Sequence, residues 1–345
     1  MFAPVAVVTR SGLPESWHSG TAAVVTPEGR LVARLGDPAV ATFLRSAAKP
    51  FQALPLVLAG GIERFALDEA DLALICASHA GCPEHAERAA ALLARGGFAV
   101  ADLLCGAHPP YDAEAAAELA RRGQAPSPLH NNCSGKHAGM LLACRLLGYP
   151  PADYVAPGHP LQRDIAGWVA RLCGIAPERL GYGVDGCSAV SFHLPVAAAA
   201  RGYAALADPA AAGVAAAPAA ALGRIAAAMT HAPAMVAGRG RFTTRLMETT
   251  GGRVVAKEGA EGFYALAVRG PVALGIALKV ADGGERCRDG VVLDLLRQMG
   301  SLAGEELAAL APFYRPVVTN ARGLAVGEVV PDLEVQEVGG GGADC

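Results

Sequence analysis

The first forty residues carry short apolar runs broken by polar residues, the pattern of half-buried β-strands. Val5–Thr9 is apolar and β-branched, and Thr21–Val25 and Leu31–Leu35 flank Pro27-Glu-Gly29, a turn sequence that predicts a hairpin. From Lys49 onward the period lengthens to that of helices. Lys49–Ala59, Glu69–Ile75, Glu84–Ala94 and Ala113–Arg122 each read as helical, several opening after Pro or Asp. The pattern continues at Lys136–Leu147, Leu161–Leu172, Pro195–Leu206 and Ala215–Met229. Phe242–Thr249 reads as a further helix. Arg253–Lys257, Phe263–Val268 and Val272–Val280 then read as three strands in succession, with turns at Gly259–Gly262 and Gly270-Pro271. Glu285–Met299 reads as a long helix, and the glycine-rich Gly339–Gly342 as a frayed tail.

Strands at both ends with helices between them do not make the βαβ rhythm of a doubly wound sheet. The expected fold class is α/β (α+β). An antiparallel sheet formed by the N- and C-terminal segments (about 4–40 and 250–335) holds an inserted helical region (about 41–240), in a single domain spanning 1–345.

Composition narrows the function. Hydrophobic residues make up 52% of the 345, enough for a sizeable core, and much of that share is alanine, which favours helices. A net charge of −3 supplies no field for nucleic acid or an anionic membrane, so a small neutral or zwitterionic substrate fits better. No apolar run is long enough for a membrane span, and the N-terminus lacks the basic and apolar regions of a signal peptide. Nine irregularly spaced cysteines, an odd number, point to reduced thiols and a cytoplasmic protein rather than a disulfide framework. Cys76, Cys144 and Cys173 sit in apolar helical patterns and read as buried, and Cys345 as an inert terminal thiol.

The first candidate chemistry is Arg45-Ser-Ala-Ala-Lys49-Pro50. A serine hydroxyl becomes a nucleophile only when a base takes its proton, and a lysine serves once burial or a second cation lowers its pKa. On a helix Ser46 and Lys49 share a face, with Ser46 at the helix start where backbone N–H groups favour developing negative charge. Ser-x-x-Lys is catalytic in penicillin-binding proteins and serine β-lactamases. Alone, it reads first as an N-cap serine and a solvated lysine. A second serine, Ser78 in Ile75-Cys-Ala-Ser-His-Ala-Gly81, enters a glycine turn, and Lys257 closes an apolar strand before Glu258-Gly259.

The densest polar cluster is His130-Asn-Asn-Cys-Ser-Gly-Lys-His137. Asn131, Asn132 and Ser134 can cap the following helix or hold an amide. Asp185-Gly-Cys-Ser188 forms another polar turn after the strand-like Leu180–Val184. Asp185 can orient a substrate ammonium or simply shape an Asp-Gly turn. Cys133 and Cys187 lie in glycine-flanked turns. A soft thiolate pair suits zinc, but spacing alone favours two unrelated thiols over a metal site, and Cys133 with His137 can also be read as a nucleophile and base.

Together, Arg45-Ser-Ala-Ala-Lys-Pro-Phe-Gln52, Cys76-Ala-Ser-His-Ala-Gly81, Leu129-His-Asn-Asn-Cys-Ser-Gly-Lys-His-Ala138, Gly183-Val-Asp-Gly-Cys-Ser188 and Lys257-Glu-Gly-Ala-Glu-Gly262 resemble the motifs of the Rhizobium etli-type, or class 3, L-asparaginases, the asparaginase II family. The resemblance runs from about residue 4 to residue 335. It implies hydrolysis of L-asparagine to L-aspartate and ammonia, a serine β-lactamase/glutaminase-like fold and a homodimer. It also implies two serine–lysine tandems, Ser46 with Lys49 and Ser78 with Lys257. Arg45, Asp185 and His137 would bind substrate, and Cys133, Lys136 and Cys187 would ligate a Zn2+ that assists binding more than bond cleavage. A glutaminase or other serine–lysine amidohydrolase, and a non-catalytic zinc-dependent amino-acid-binding protein, are the competing expectations.

Overall fold

The expected N-terminal hairpin forms in the structure, a computed structural model that describes residues 1–338. The glycine tail and Cys345 lie outside the described residues. In chain order the strands are β1 (Ala3–Arg10), β2 (Leu13–Val25), β3 (Leu31–Leu35), β4 (Ala41–Phe43), β5 (Gly181–Val184), β6 (Val190–Pro195), β7 (Val254–Glu258), β8 (Phe263–Val268), β9 (Leu274–Val280), β10 (Val317–Thr319), β11 (Ala325–Pro331) and β12 (Gln336–Glu337). The β2–β3 turn falls at Pro27-Glu-Gly29, with Gly29 at φ +90°, a conformation open to glycine at little cost.

The chain divides into two units. The first comprises residues 1–47, 194–213 and the segment from Arg245 onward. Its antiparallel sheet runs β10-β11-β1-β2-β9-β8-β7, with β3 on β2 and β12 on β3. The sheet is thus built from both ends of the chain, as the strand pattern predicts. Period-two geometry assigns its faces. Lys257 pairs with Ala265, which pairs with Ala277, which pairs with Ala23, so these four side chains share one face. On that face packs the helix Val196–Ala207. Gly275 lets it approach, because a Cβ there would collide with the backbone of Ala200 and Ala204. Glu258 and Tyr264 point to the opposite face, where Arg288, at the start of helix Arg288–Gln298, lies over the Tyr264 ring and pairs with Glu258. Helix Val196–Ala207, read from sequence as part of the inserted helical region, therefore belongs with the sheet. Its apolar face closes the core of the sheet unit.

The second unit comprises residues 48–193 and 214–244 and is mainly helical. Several expected helices match within two residues, among them Glu69–Ile75, Ser134–Leu147 and Pro160–Cys173. The expected helix over 49–59 is broken. Arg45–Ala48 forms a 3-10 turn, and two short helices follow at Lys49–Gln52 and Leu54–Leu58. Pro55 has no N–H to donate, and its ring clashes with the carbonyl four residues back, so one continuous helix cannot form. The expectation that Ser46 opens a long helix with a useful dipole fails for the same reason. Helix Ser134–Leu147 packs on Glu69–Ile75 through Gly135 and Gly139. A Cβ at Gly135 would collide with the Leu74 carbonyl, and one at Gly139 would lie 2.6 Å from Ile75 Cγ2. This close approach brings the 76–81 turn and the 131–134 turn together. Among the described residues, no helix is long and apolar enough to cross a membrane.

Candidate active site

In the sheet unit, Lys257 is fully buried at the end of β7, and its Nζ donates to the Glu258 carbonyl at 3.0 Å. The segment carrying Ser46 runs beside this strand end. A Cβ at Gly259 would lie 2.8 Å from the Leu44 carbonyl, and Tyr203 Oη on the covering helix donates to the Ala47 carbonyl at 2.8 Å. Ser46 is half-buried, hence reachable. The residue before it, Arg45, has φ +49°, a left-handed conformation that costs a non-glycine residue of order 1 kcal/mol or more. In α/β-hydrolases the nucleophilic serine itself sits on a sharp, strained turn.

In the helical unit, Lys49 is fully buried. Its Nζ donates to Ser78 Oγ at 2.8 Å and also to the Ala77 carbonyl. The bland reading of Lys49 as a solvated lysine is therefore removed. Ser78 is buried too, and its backbone N–H donates to the Val236 carbonyl at 2.9 Å. Next to it, His79 fixes the turn. Its Nδ1 accepts from the Gly81 N–H at 3.1 Å, so its proton sits on Nε2, which donates to Ser134 Oγ at 2.9 Å. The His79 N–H reaches the Asn132 carbonyl at 3.1 Å. Burial first, then the charges of His85 and Lys49, holds the His79 pKa well below the usual range, keeping it neutral.

Asn131 turns out to shape the polar cluster. Its Oδ1 accepts from the Cys133 N–H at 2.9 Å and its Nδ2 donates to the Cys105 carbonyl at 2.8 Å. His137 is buried, with Nδ1 2.7 Å from Tyr154 Oη. Tyr154 Oη accepts from the Leu104 N–H at 2.9 Å. The His137 Nε2 has no hydrogen-bond partner among the described residues. Burial, then the charges of Lys136 and Lys49, holds the His137 pKa well below the usual range and keeps it neutral.

Cys133, Lys136 and Cys187 come together although 51 residues separate the last two. Lys136 Nζ lies 2.9 Å from Cys187 Sγ, and all three side chains are buried. A hydrogen bond from the Cys187 thiol holds Cys133 well below the ordinary thiol range, against the cost of burial and with help from Lys49 and Lys136. The same bond, followed by burial, pushes Cys187 up. Burial opposes the Lys136 charge, but Cys187, Cys133 and Asp185 together outweigh it and raise its pKa. Asp185 sits in the β5–β6 turn, its Oδ1 accepting from the Gly186 N–H at 2.8 Å, and Ser188 beyond it takes φ +68°. Among the described residues no three His, Cys, Asp or Glu side chains converge on a metal-sized point. Two sulfurs and an amine nevertheless match the N/S preference of zinc, provided Lys136 gives up its proton.

His79, Tyr154 and Tyr203 were not singled out from the sequence. His79 lies inside a quoted motif, but nothing in the local pattern of either tyrosine marks it.

A lysine amine sunk out of water against a serine hydroxyl is the working part of a serine–lysine amidohydrolase, and sequence comparison supports that class. Residues 6–331 match the family model described as L-asparaginase II. The chain belongs to the L-asparaginase II family. Comparison with curated proteins gave no match. Among solved structures, Mglu in its native form is similar at 16% identity and a TM-score of 0.44, over 84% of this chain and 66% of that one. Mglu in its glutamate form is similar at 18% identity and a TM-score of 0.36, over 82% and 61%. The chain thus spans about two thirds or less of the length of these two structures.

Proposed function

We propose that the protein hydrolyses L-asparagine to L-aspartate and ammonia through an acyl-enzyme. The observation that carries this reading is the buried Lys49–Ser78 hydrogen bond in a chain of the L-asparaginase II family. Ser46, reachable and preceded by a strained turn, attacks the side-chain amide carbon. Lys49, three residues along the chain, takes its proton and passes one through Ser78 to the departing ammonia. Lys257 serves the second half, in which water releases aspartate. Arg45, Asp185 and His137, whose Nε2 has no partner among the described residues, hold the substrate, the Asp185 carboxylate facing its ammonium. The hydrogen bond itself favours a second reading, with Ser78 as nucleophile and Lys49 as its base.

Zinc fits the donor chemistry, and Cys133, Lys136 and Cys187 would hold it. When bound, it would supply a positive charge that anchors substrate. The resemblance to the family also carries the homodimer into this proposal, and the cysteine usage carries the cytoplasmic location. The test is ammonia release from L-asparagine and L-glutamine by wild type, Ser46→Ala and Lys49→Met. Turnover of asparagine that both substitutions abolish supports the reading. A wild type that binds asparagine without turning it over points instead to an amino-acid-binding protein.

A further inference from the structure

Cys82 opens the helix Pro83–Gly96 and lines a cavity of about 390 Å³ in the helical unit, with Ala80, His85, Asp112, Gly238 and Arg239 among its walls. No role in hydrolysis uses it. Among the described cysteines it is the one that is not buried. Its Sγ lies 2.8 Å from His85 Nδ1, and His85 Nε2 lies 3.0 Å from the Ala234 carbonyl. A carbonyl only accepts, so Nε2 carries the ring proton and Nδ1 presents a lone pair to the thiol. The imidazole is further fixed by stacking on His79, ring centroids 4.9 Å apart. Thiol, imidazole and carbonyl thus form a base-assisted nucleophile facing an open cavity, with the helix start favouring a developing thiolate.

We propose that Cys82 is a covalent modification site for small, uncharged, soft carbon electrophiles of the α,β-unsaturated carbonyl class. Sγ bonds the β-carbon, the thiol proton passes to His85 Nδ1, and the imidazolium returns it to the α-carbon. Nothing is oxidised and no group leaves. Burial lowers the pKa of His85 and raises that of Cys82, so at neutral pH the pair rests as imidazole and thiol and the base is available.

The test treats the folded full chain, carrying Cys345→Ser to remove the terminal thiol, with acrylamide and follows each cysteine by peptide mapping. The expected result is that Cys82 is modified before any other cysteine, at a rate nearly flat with pH through neutrality. His85→Gln should slow it by about 10-fold or more and restore the steep pH rise of an unassisted thiol. Earlier labelling of another cysteine overturns the proposal. So does a wild-type rate that climbs about tenfold per pH unit through neutrality, as an unassisted thiol of ordinary pKa does. The wild-type profile decides the matter even if His85→Gln does not fold. Equal rates in a folded His85→Gln overturn the proposal as well.

Discussion

Lys49 Nζ donates a 2.8 Å hydrogen bond to Ser78 Oγ, across 29 positions of sequence and out of contact with water. The bond ties two motifs that look independent along the chain. It also means that Lys49 cannot be assigned to Ser46 alone, three residues before it. In the proposed mechanism Lys49 is the proton carrier, and Ser78 is the serine it is bonded to.

Replacing Lys49 by methionine keeps the length of the side chain and removes the amine. The expected loss in kcat is roughly 10²–10⁴-fold, the range for removing a general acid–base group. Circular dichroism should show a folded protein. Retention of most of the wild-type kcat by a folded Lys49→Met would contradict the proton-carrier role.

The helix contact behind the Ser78 turn makes a stability prediction with a sign. Gly to Ala within a helix gains about 1 kcal/mol from propensity. At Gly167, where nothing lies within 4 Å of an added Cβ, that gain should appear in urea unfolding. At Gly139 the added Cβ meets Ile75 Cγ2 at 2.6 Å, and overpacking of about 1–3 kcal/mol should outweigh the gain. Gly139→Ala should therefore be less stable than wild type and Gly167→Ala more stable. Stabilisation by Gly139→Ala as well would show that the Ile75 contact relaxes freely.

How much of this was legible in the sequence depends on whether a residue's partners are near it in the chain. The β2–β3 hairpin was readable because Pro27-Glu-Gly29 encodes its turn locally. Helices such as Glu69–Ile75 announced themselves by capping, Asp68 accepting from the Asp71 N–H. The helix over 49–59 was over-read because apolar periodicity outweighed Pro55. The start of β2, Leu13-Pro-Glu-Ser-Trp-His18, carries no alternation, since much of it is exposed, and it pairs only because β1 lies beside it. The short strands β10 and β12 give too few residues for any period to register. Ser46, Lys49, Ser78 and Lys257 could be named as candidates by motif. The Lys49–Ser78 bond and the Lys136–Cys187 contact join residues 29 and 51 positions apart, and no local pattern reports them.

Metal dependence should separate binding from chemistry. If zinc is held by Cys133, Lys136 and Cys187, the purified protein takes up about one Zn2+ per chain, in line with a single set of N/S ligands. Cys187→Ser loses it. Metal removal should raise KM with little change in kcat, the sign of a group that contributes to ground-state binding. A collapse of kcat at unchanged KM would place the metal in the bond-breaking step instead. Absence of zinc uptake by the wild type would leave the three side chains as a buried thiolate–ammonium pair.

On the proposed asparaginase reading, the choice against glutamine turns on one methylene. Glutamine is longer than asparagine by one methylene, and packing alone discriminates such pairs by roughly 10–200-fold. The ratio of kcat/KM for asparagine over glutamine should fall in that range. A ratio below one would make the protein a glutaminase built on the same catalytic groups.

The covalent intermediate tests the central claim most directly. Wild-type protein is mixed with L-asparagine, quenched in acid within the first turnovers, digested and mapped by mass spectrometry. The account predicts an aspartyl ester on Ser46. An ester on Ser78 would transfer the nucleophile to the serine that Lys49 already holds. Ammonia release with no ester on any serine, under conditions that trap acyl-enzymes of other serine hydrolases, would contradict covalent serine catalysis altogether.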